Sequence, residues 1–356
     1  GLFLGFLGPA PCRCDRPGLQ RLARRTAFDV PLIRFRTFRN SDPPRLLQLF
    51  RQTRPGRAFA YPESTHALEL AVFGLPYFDP KGLIIAEDDG NLVGFIHAGF
   101  GFSRDLSSLD YTIGVICCAL VNPEYQMQGV GKELVSLAEE YLKSRGATYI
   151  QAGQSRYRDP FYFGIYGGAR PTGFMESDRA ADPFFRRLGF TPIQRVPVFQ
   201  RDLTDRRDPM NFRLMALRRQ TELVVTDQPE KPTWWWFCKF GNIESMRFQL
   251  VEKKTQTLVA SVTVVGLDHY INSWNERAIG LVDVFVEEKF RGQGYGQTLI
   301  LEAIRRLRTE MITRAEIHIP EDFQDAVGAI TAAGFTQVDT GIIYSRTQEH
   351  QQIAPA

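Results

Sequence analysis

Two hydrophobic periods alternate along this chain. Apolar runs of strand length, separated by turn residues, are followed by stretches of helical spacing. Residues 83–87 read as a strand, Asp88-Asp89-Gly90-Asn91 as a tight turn, and 92–100 as the returning strand of a hairpin. The apolar run at 113–121 is a further strand. Behind it Leu134, Leu137, Ala138, Tyr141 and Leu142 recur at helical intervals, which predicts a helix over 130–145 with one buried face.

The same order then returns. Residues 248–252, a polar turn at 253–256 and residues 258–265 repeat the hairpin; 279–286 repeats the long strand and 295–308 the helix. Gly129 and Gly294 stand 165 positions apart, as do Gly131 and Gly296. A fixed offset of this size marks internal duplication. Both halves also close alike. Residues 184–187 run into Leu188-Gly189-Phe190 and 326–332 into Ala333-Gly334-Phe335, each a helix stopped at glycine. Strands at 197–200 and 341–345 end the halves, and strands at 32–38 and 211–217 begin them. The polar stretch Leu203-Thr204-Asp205-Arg206-Arg207-Asp208-Pro209 reads as the linker. The expected organisation is a disordered leader over 1–30, one domain over 31–205, a second over 206–348 and a tail over 349–356.

Composition narrows the partners. A length of 356 residues suits two domains, and 44% hydrophobic residues suffice for two cores. A net charge of +3 argues against nucleic acid or an anionic membrane as the main partner. No apolar run reaches the ~18 residues of a membrane span. The five cysteines, Cys12, Cys14, Cys117, Cys118 and Cys238, are odd in number and lack metal-site spacing. They point to neither a disulfide framework nor a zinc site, and a cytoplasmic location fits them.

Candidate chemistry sits in the two glycine loops. Each follows an apolar strand and opens a helix, with the pattern Gln/Arg-x-x-Gly-x-Gly. Glycines let the backbone turn tightly and approach a ligand, and the helix N-terminus offers unpaired N–H groups to an anion. The loop lacks the Gly-Lys-Ser/Thr of a P-loop, and a hairpin precedes it rather than the βαβ unit of a dinucleotide fold.

On these residues a family resemblance rests. Val121-Asn122-Pro123-Glu124-Tyr125-Gln126-Met127-Gln128-Gly129-Val130-Gly131 and Val286-Glu287-Glu288-Lys289-Phe290-Arg291-Gly292-Gln293-Gly294-Tyr295-Gly296 resemble the acetyl-CoA motif of the GCN5-related N-acetyltransferase (GNAT) family. The resemblance covers about 32–205 and 210–346. It implies an α/β chain of two tandem GNAT-like acyl-CoA N-acyltransferase domains, each a mixed, mostly antiparallel sheet flanked by helices. It implies acetyl-CoA as co-substrate, with no metal. The pyrophosphate would lie on Gln126, Gln128, Gly129, Val130, Gly131 and Lys132, or on Arg291, Gly292, Gln293, Gly294, Tyr295 and Gly296. The pantetheine arm would run along Leu120 and Val121, or Phe285 and Val286. The acceptor would be a primary amine of a small molecule or a protein.

Catalytic residues are less legible. The family often places a tyrosine acid four residues before the closing glycine, where this chain has Phe185 and Ile330. The first half is longer: Gly131 and Gly189 lie 58 positions apart, Gly296 and Gly334 only 38. The extra residues fall around Arg156–Arg170, a segment rich in aromatics and glycines, and Tyr162 and Tyr166 are its candidate donors. Asp283 interrupts an apolar strand and is a candidate base or amine ligand. Glu176 and Asp178 are candidates to attract a cationic amine. His97 and His318 are expected as structural histidines, and Trp234-Trp235-Trp236-Phe237 as packing. The absent tyrosines leave a second reading, a non-catalytic CoA-binding or sensory protein.

Overall fold

Asp89 and Gly90 both take left-handed backbone angles, φ 47° and 78°. A two-residue hairpin turn between right-twisted strands requires this. The computed structural model containing that turn describes residues 32–346, apart from 54–55, 104, 228–232 and 242. The expected leader and tail lie outside the described residues.

The first half comprises β1 (Arg34–Thr37), α1 (Pro43–Thr53), α2 (His66–Leu68), β2 (Leu83–Asp88), β3 (Asn91–Phe102), β4 (Leu109–Val121), α3 (Val130–Ser144), β5 (Tyr149–Ala152), β6 (Phe174–Met175), α4 (Ala181–Arg187) and β7 (Thr191–Asp202). The second comprises α5 (Phe212–Gln220), β8 (Thr221–Thr226), α6 (Trp234–Phe240), β9 (Ser245–Glu252), β10 (Leu258–Gly266), α7 (Ile271–Trp274), β11 (Ala278–Val286), α8 (Tyr295–Thr309), β12 (Arg314–His318), α9 (Gln324–Ala332) and β13 (Thr336–Ser345). The strands form one mixed, mostly antiparallel sheet in the order β1-β2-β3-β4-β5-β13-β7-β12-β11-β10-β9-β8. β4 pairs with β5, and β11 with β12, in parallel.

The order at the centre shows that the halves trade their last strands. β13, from the end of the chain, lies beside β5; β7, from the first half, lies beside β12. Side chains follow the strands. Ile342 and Tyr344 of β13 pack in the first half's core with Ile116, Leu134 and Phe185. Phe199 of β7, and Leu203 just after it, pack in the second half's core with Leu299 and Phe335. Ile342, Ile343 and Tyr344 are nearly inaccessible to solvent. At ~1.5–3 kcal/mol for each buried large side chain, their removal takes away an amount comparable to a domain's whole stability of ~5–15 kcal/mol.

The strand expected at 211–217 is instead helix α5. Asn211 caps it, its side chain accepting from the Leu214 N–H at 2.9 Å. The segment that follows carries helix-forming Leu, Met, Ala, Arg and Gln, and Leu214 and Leu217, three residues apart, turn to the core. The first strand of the second half is β8, at the sheet's far edge.

The exchange predicts that fragments 32–205 and 206–346, expressed separately, show no cooperative urea unfolding, and that co-expression restores one transition. Two independent cooperative transitions from the separate fragments would contradict it.

Candidate active site

Each glycine loop holds its turn with the same bonds. Gln126 Nε2 donates to the Val121 carbonyl at 3.0 Å, and Arg291 Nε to the Val286 carbonyl at 3.1 Å. Gln128 Nε2 donates to the Glu124 carbonyl, and Gln293 Nε2 to the Lys289 carbonyl, both at 2.7 Å. Gly129 and Gly294 are left-handed, at φ 88° and 89°, and each starts a helix, α3 or α8. Among the described residues no acceptor takes the N–H groups of Gln128, Gly129, Val130, Gly131 and Lys132, or those of Gly292, Gln293, Gly294, Tyr295 and Gly296. Two concave sets of amides therefore face outward at helix N-termini, the arrangement that binds phosphate. Arg213 of α5 lies over the second set, its Nη2 donating to the Gly292 carbonyl at 3.0 Å. The sequence reading missed it, because 211–217 read as a strand.

Above each loop the sheet splays. Pairing of β4 with β5 ends at Ile116–Ala152, and that of β11 with β12 at Leu281–Ile317. Beyond those pairs β4 and β11 each leave one edge without a strand. The two edges differ. Leu120 is buried and Val121 half-buried, and Ala58, Phe59, Tyr166, Phe174 and Asp178 close around that strand end, leaving about 10 Å³. On β11, Phe285 is 42% exposed and the Asp283 side chain 39%. Asp283 sits at a β-bulge with φ 51°, a strained conformation for a non-glycine residue.

A description of the acetyltransferase (GNAT) family matches residues 44–162 and 213–335, more than half of the chain. The chain belongs to the GNAT family. The mycothiol acetyltransferase of Streptomyces griseus subsp. griseus is 30% identical over 119 residues, 33% of this chain and 29% of that protein. A tandem GNAT protein from the clavulanic acid biosynthesis pathway superposes with a TM-score of 0.61 at 16% identity, over 89% of this chain and all of that one. A GCN5-related glucosamine N-acetyltransferase region of a fungal multi-domain GH3 β-N-acetylglucosaminidase reaches 0.66 at 17% identity, over 88% of this chain and 38% of that one. These two likenesses establish a tandem GNAT fold.

In this GNAT chain the first half's insertion lies on the second half's splayed strand. Arg170 donates through Nη2 to Asp283 Oδ1 at 2.8 Å and lies 3.6 Å, from Nε, from Asp159 Oδ2. Asp159 in turn takes a hydrogen bond from Lys239 of α6. Burial pushes the Lys239 ammonium down to about 8, against the pull of Asp159 and Asp283 and with the push of Arg170. Burial would raise the Asp283 carboxyl, but Arg170, Lys239 and Arg156 hold it below its usual range. Asp283 therefore stays ionised near neutral pH and is a poor proton acceptor.

The other candidates fall elsewhere. Tyr162 is buried in the core and its hydroxyl lies 3.0 Å from His97 Nδ1, so it faces no ligand surface. Tyr166 donates to the Gly173 carbonyl at 3.2 Å beneath the closed strand end of the first half. Asp178 lies at that same end, its carboxyl raised by burial. Trp235 is buried at the junction of the halves against Tyr77, and Trp234 is half exposed. Among the described residues no group of three His, Cys, Asp or Glu is placed to hold a metal, and no helix is long and apolar enough to cross a membrane.

Glu316 of β12 anchors the insertion. It has no exposed side-chain surface, and Gln200 donates to Oε2 at 2.6 Å and Arg57 to the same oxygen at 2.7 Å. The Ala169 N–H donates to Oε1 at 2.8 Å, and His318 Nε2 lies 3.0 Å from it. A Cβ at Gly168 would collide with this carboxylate, which explains a glycine there at φ 81°. Burial alone would raise the Glu316 pKa; His318, Arg57 and the Ala169 N–H outweigh it and hold it at about 2. A depressed carboxyl pKa stabilises the fold above the unfolded value of 4.5, and that contribution is lost as pH falls toward 2. Glu316→Gln is expected to cost about 1–3 kcal/mol at pH 7 in urea unfolding, because the Ala169 N–H and His318 lose a charged acceptor and the partly exposed Arg57 keeps only Asp339 as a carboxylate partner. The cost should shrink between pH 4.5 and 2; a loss below about 1 kcal/mol at pH 7 would show that Glu316 does not anchor the insertion.

Proposed function

We propose that this chain is an acetyl-CoA-dependent N-acetyltransferase acting on a primary amine, and that the second half carries the reaction. The observation that supports this is the conjunction at β11: an open strand edge directly above a set of free amides. Acetyl-CoA would supply an acyl carbon activated as a thioester. The amides of Gly292, Gln293, Gly294, Tyr295 and Gly296, with Arg213, would hold its phosphates, and the Phe285–Val286 edge its extended arm. The first half carries an equivalent nest at Gln126, Gln128, Gly129, Val130, Gly131 and Lys132, but Leu120 and Val121 lead to a closed strand end. In this reading 31–205 serves as the scaffold repeat for 206–348 and lends it Asp159 and Arg170.

In the transfer the amine nitrogen bonds to the acyl carbon, the carbon–sulfur bond breaks, and the nitrogen loses a proton. Lys239 Nζ is the acceptor best matched to that proton, since its pKa of about 8 lies near the operating pH. The sulfur takes up a proton on release. Thiols ionise near ~8.5, so a thiolate leaves without a strong acid, and Phe185 and Ile330 in place of the family's tyrosine do not forbid turnover. Asp283 would hold Arg170, and through it Asp159, in place beside the amine rather than act as a base. The relatives named for mycothiol and glucosamine acetylation favour a small-molecule acceptor over a protein amine. The buried neighbours Cys117 and Cys118 and the half-buried Cys238 are all free thiols, which favours a cytoplasmic location.

A screen of amines with acetyl-CoA, followed by thiol release, tests this reading. On any accepted amine, kcat at saturation should rise with pH through a midpoint near 8, and Lys239→Met should remove that step. Asp283→Asn should lower kcat/KM roughly tenfold, mainly through KM. Acetyl-CoA binding without turnover of any amine would favour the sensory reading instead.

A further inference from the structure

Between the two halves lies a cavity of about 160 Å³ that the reaction scheme leaves unassigned. Its apolar wall includes Leu70, Leu75, Phe163 and Ile243. Leu70 and Ala71 reach it from the π-helical turn Glu69–Phe73, a rare geometry frequent at functional sites. Its polar wall is Asp159 and Lys239, and the exposed Glu244 and Asp268 also line it.

Two observations say what it holds. The lining contains three carboxylates, Asp159, Glu244 and Asp268, against one ammonium, Lys239, while burial lowers the pKa of His269 and favours its neutral form. The balance favours a cation. Asp159 is fully buried, and its Oδ2 is engaged by Lys239 and Arg170, yet its Oδ1 has no hydrogen-bond partner. A buried carboxylate oxygen left without a donor is costly unless a ligand supplies one. The size is informative too, since an apolar cavity of ~150 Å³ accommodates benzene.

We infer that this cavity binds a small primary ammonium with a compact, ring-sized apolar body, its charge facing the carboxylate wall of Asp159, Glu244 and Asp268. Under the acyltransferase reading, on which this assignment as acceptor site rests, the ligand is the amine to be acylated: neutral Lys239 takes one proton from the ammonium to free its lone pair, and the second nitrogen proton goes to the departing thiolate. Asp159 and Asp283 flank the same Arg170 guanidinium, so the cavity and the open edge of β11 share a wall. The site draws on both halves: α2 with its π-helical turn and the insertion from one, α6 and the end of β10 from the other. A branched polyamine or a folded protein surface does not match so small a space.

The test is calorimetric titration of benzylamine into the full chain, with toluene and a lysine-containing peptide as comparators. Benzylamine should bind, toluene and the peptide at least tenfold more weakly. Asp159→Asn should weaken benzylamine roughly ten- to hundredfold, the scale of a hydrogen bond to a charged group. Because that variant also disturbs Lys239, the rim variant Glu244→Gln/Asp268→Asn, at exposed positions, provides a second measure. It should weaken benzylamine a few-fold at low salt and less at high salt. Acetyl-CoA affinity should be unchanged in both, reporting an intact fold. Equal binding of toluene and benzylamine, or no effect in either variant, overturns the assignment. Benzylamine bound as described but never acetylated in the presence of bound acetyl-CoA, while another amine is turned over, sustains the ammonium site and refutes its assignment as the acceptor site.

Discussion

The exchange of terminal strands is the constraint from which the rest follows. β13 lies against β5 and β7 against β12, so each half's core is closed by the other's last strand. This fixes the two halves in one sheet. The chain leading to β6, which pairs with β13, must then cross the central strands. It carries Ala169 and Arg170 onto the second half, where Glu316 and Asp283 hold them at 2.8 Å each. Glu316, buried and bonded to Arg57, Gln200 and His318, sets the seam: removing one of those partners leaves its carboxylate desolvated with fewer donors.

Duplication followed by divergence accounts for the site's asymmetry. Both loops keep the same turn bonds and the same free amides, since the same local sequence folds the same way. What differs is what approaches from outside. Phe59, Tyr166 and Phe174 fill the space at the first strand end, whereas at the second Asp283 and Phe285 remain accessible. The insertion thus does two things at once. Its Tyr166 helps close one half, and its Asp159 and Arg170 equip the other. In this account one repeat has become the wall of its partner's acceptor site.

Much of this was legible in the residues. The offset of 165 positions, the hairpins, the glycine loops and the helices behind them follow from hydrophobic period and turn chemistry, which are local. The exchanged strands were not legible, because both candidate partners of each strand present the same alternating pattern. The helix at Phe212–Gln220 was missed although Asn211 is a good cap, since its apolar content also suits a strand. Asp159, Arg170 and Lys239 were hidden among aromatics. A lone lysine inside Trp234-Trp235-Trp236-Phe237-Cys238-Lys239-Phe240 was the available signal, since a charge in so apolar a run needs a buried partner. Tyr162 drew attention for its chemistry, but that chemistry is spent on His97.

Which half holds the cofactor is decided by calorimetric titration of acetyl-CoA into the intact chain and two variants, Gly294→Glu/Gly296→Glu and Gly129→Glu/Gly131→Glu. A glutamate in either nest places a like charge where phosphate would sit. The intact chain should bind acetyl-CoA; the second-half variant should lose that binding, and the first-half variant should keep both binding and turnover. No binding to the intact chain, or loss of turnover only in the first-half variant, would contradict the account.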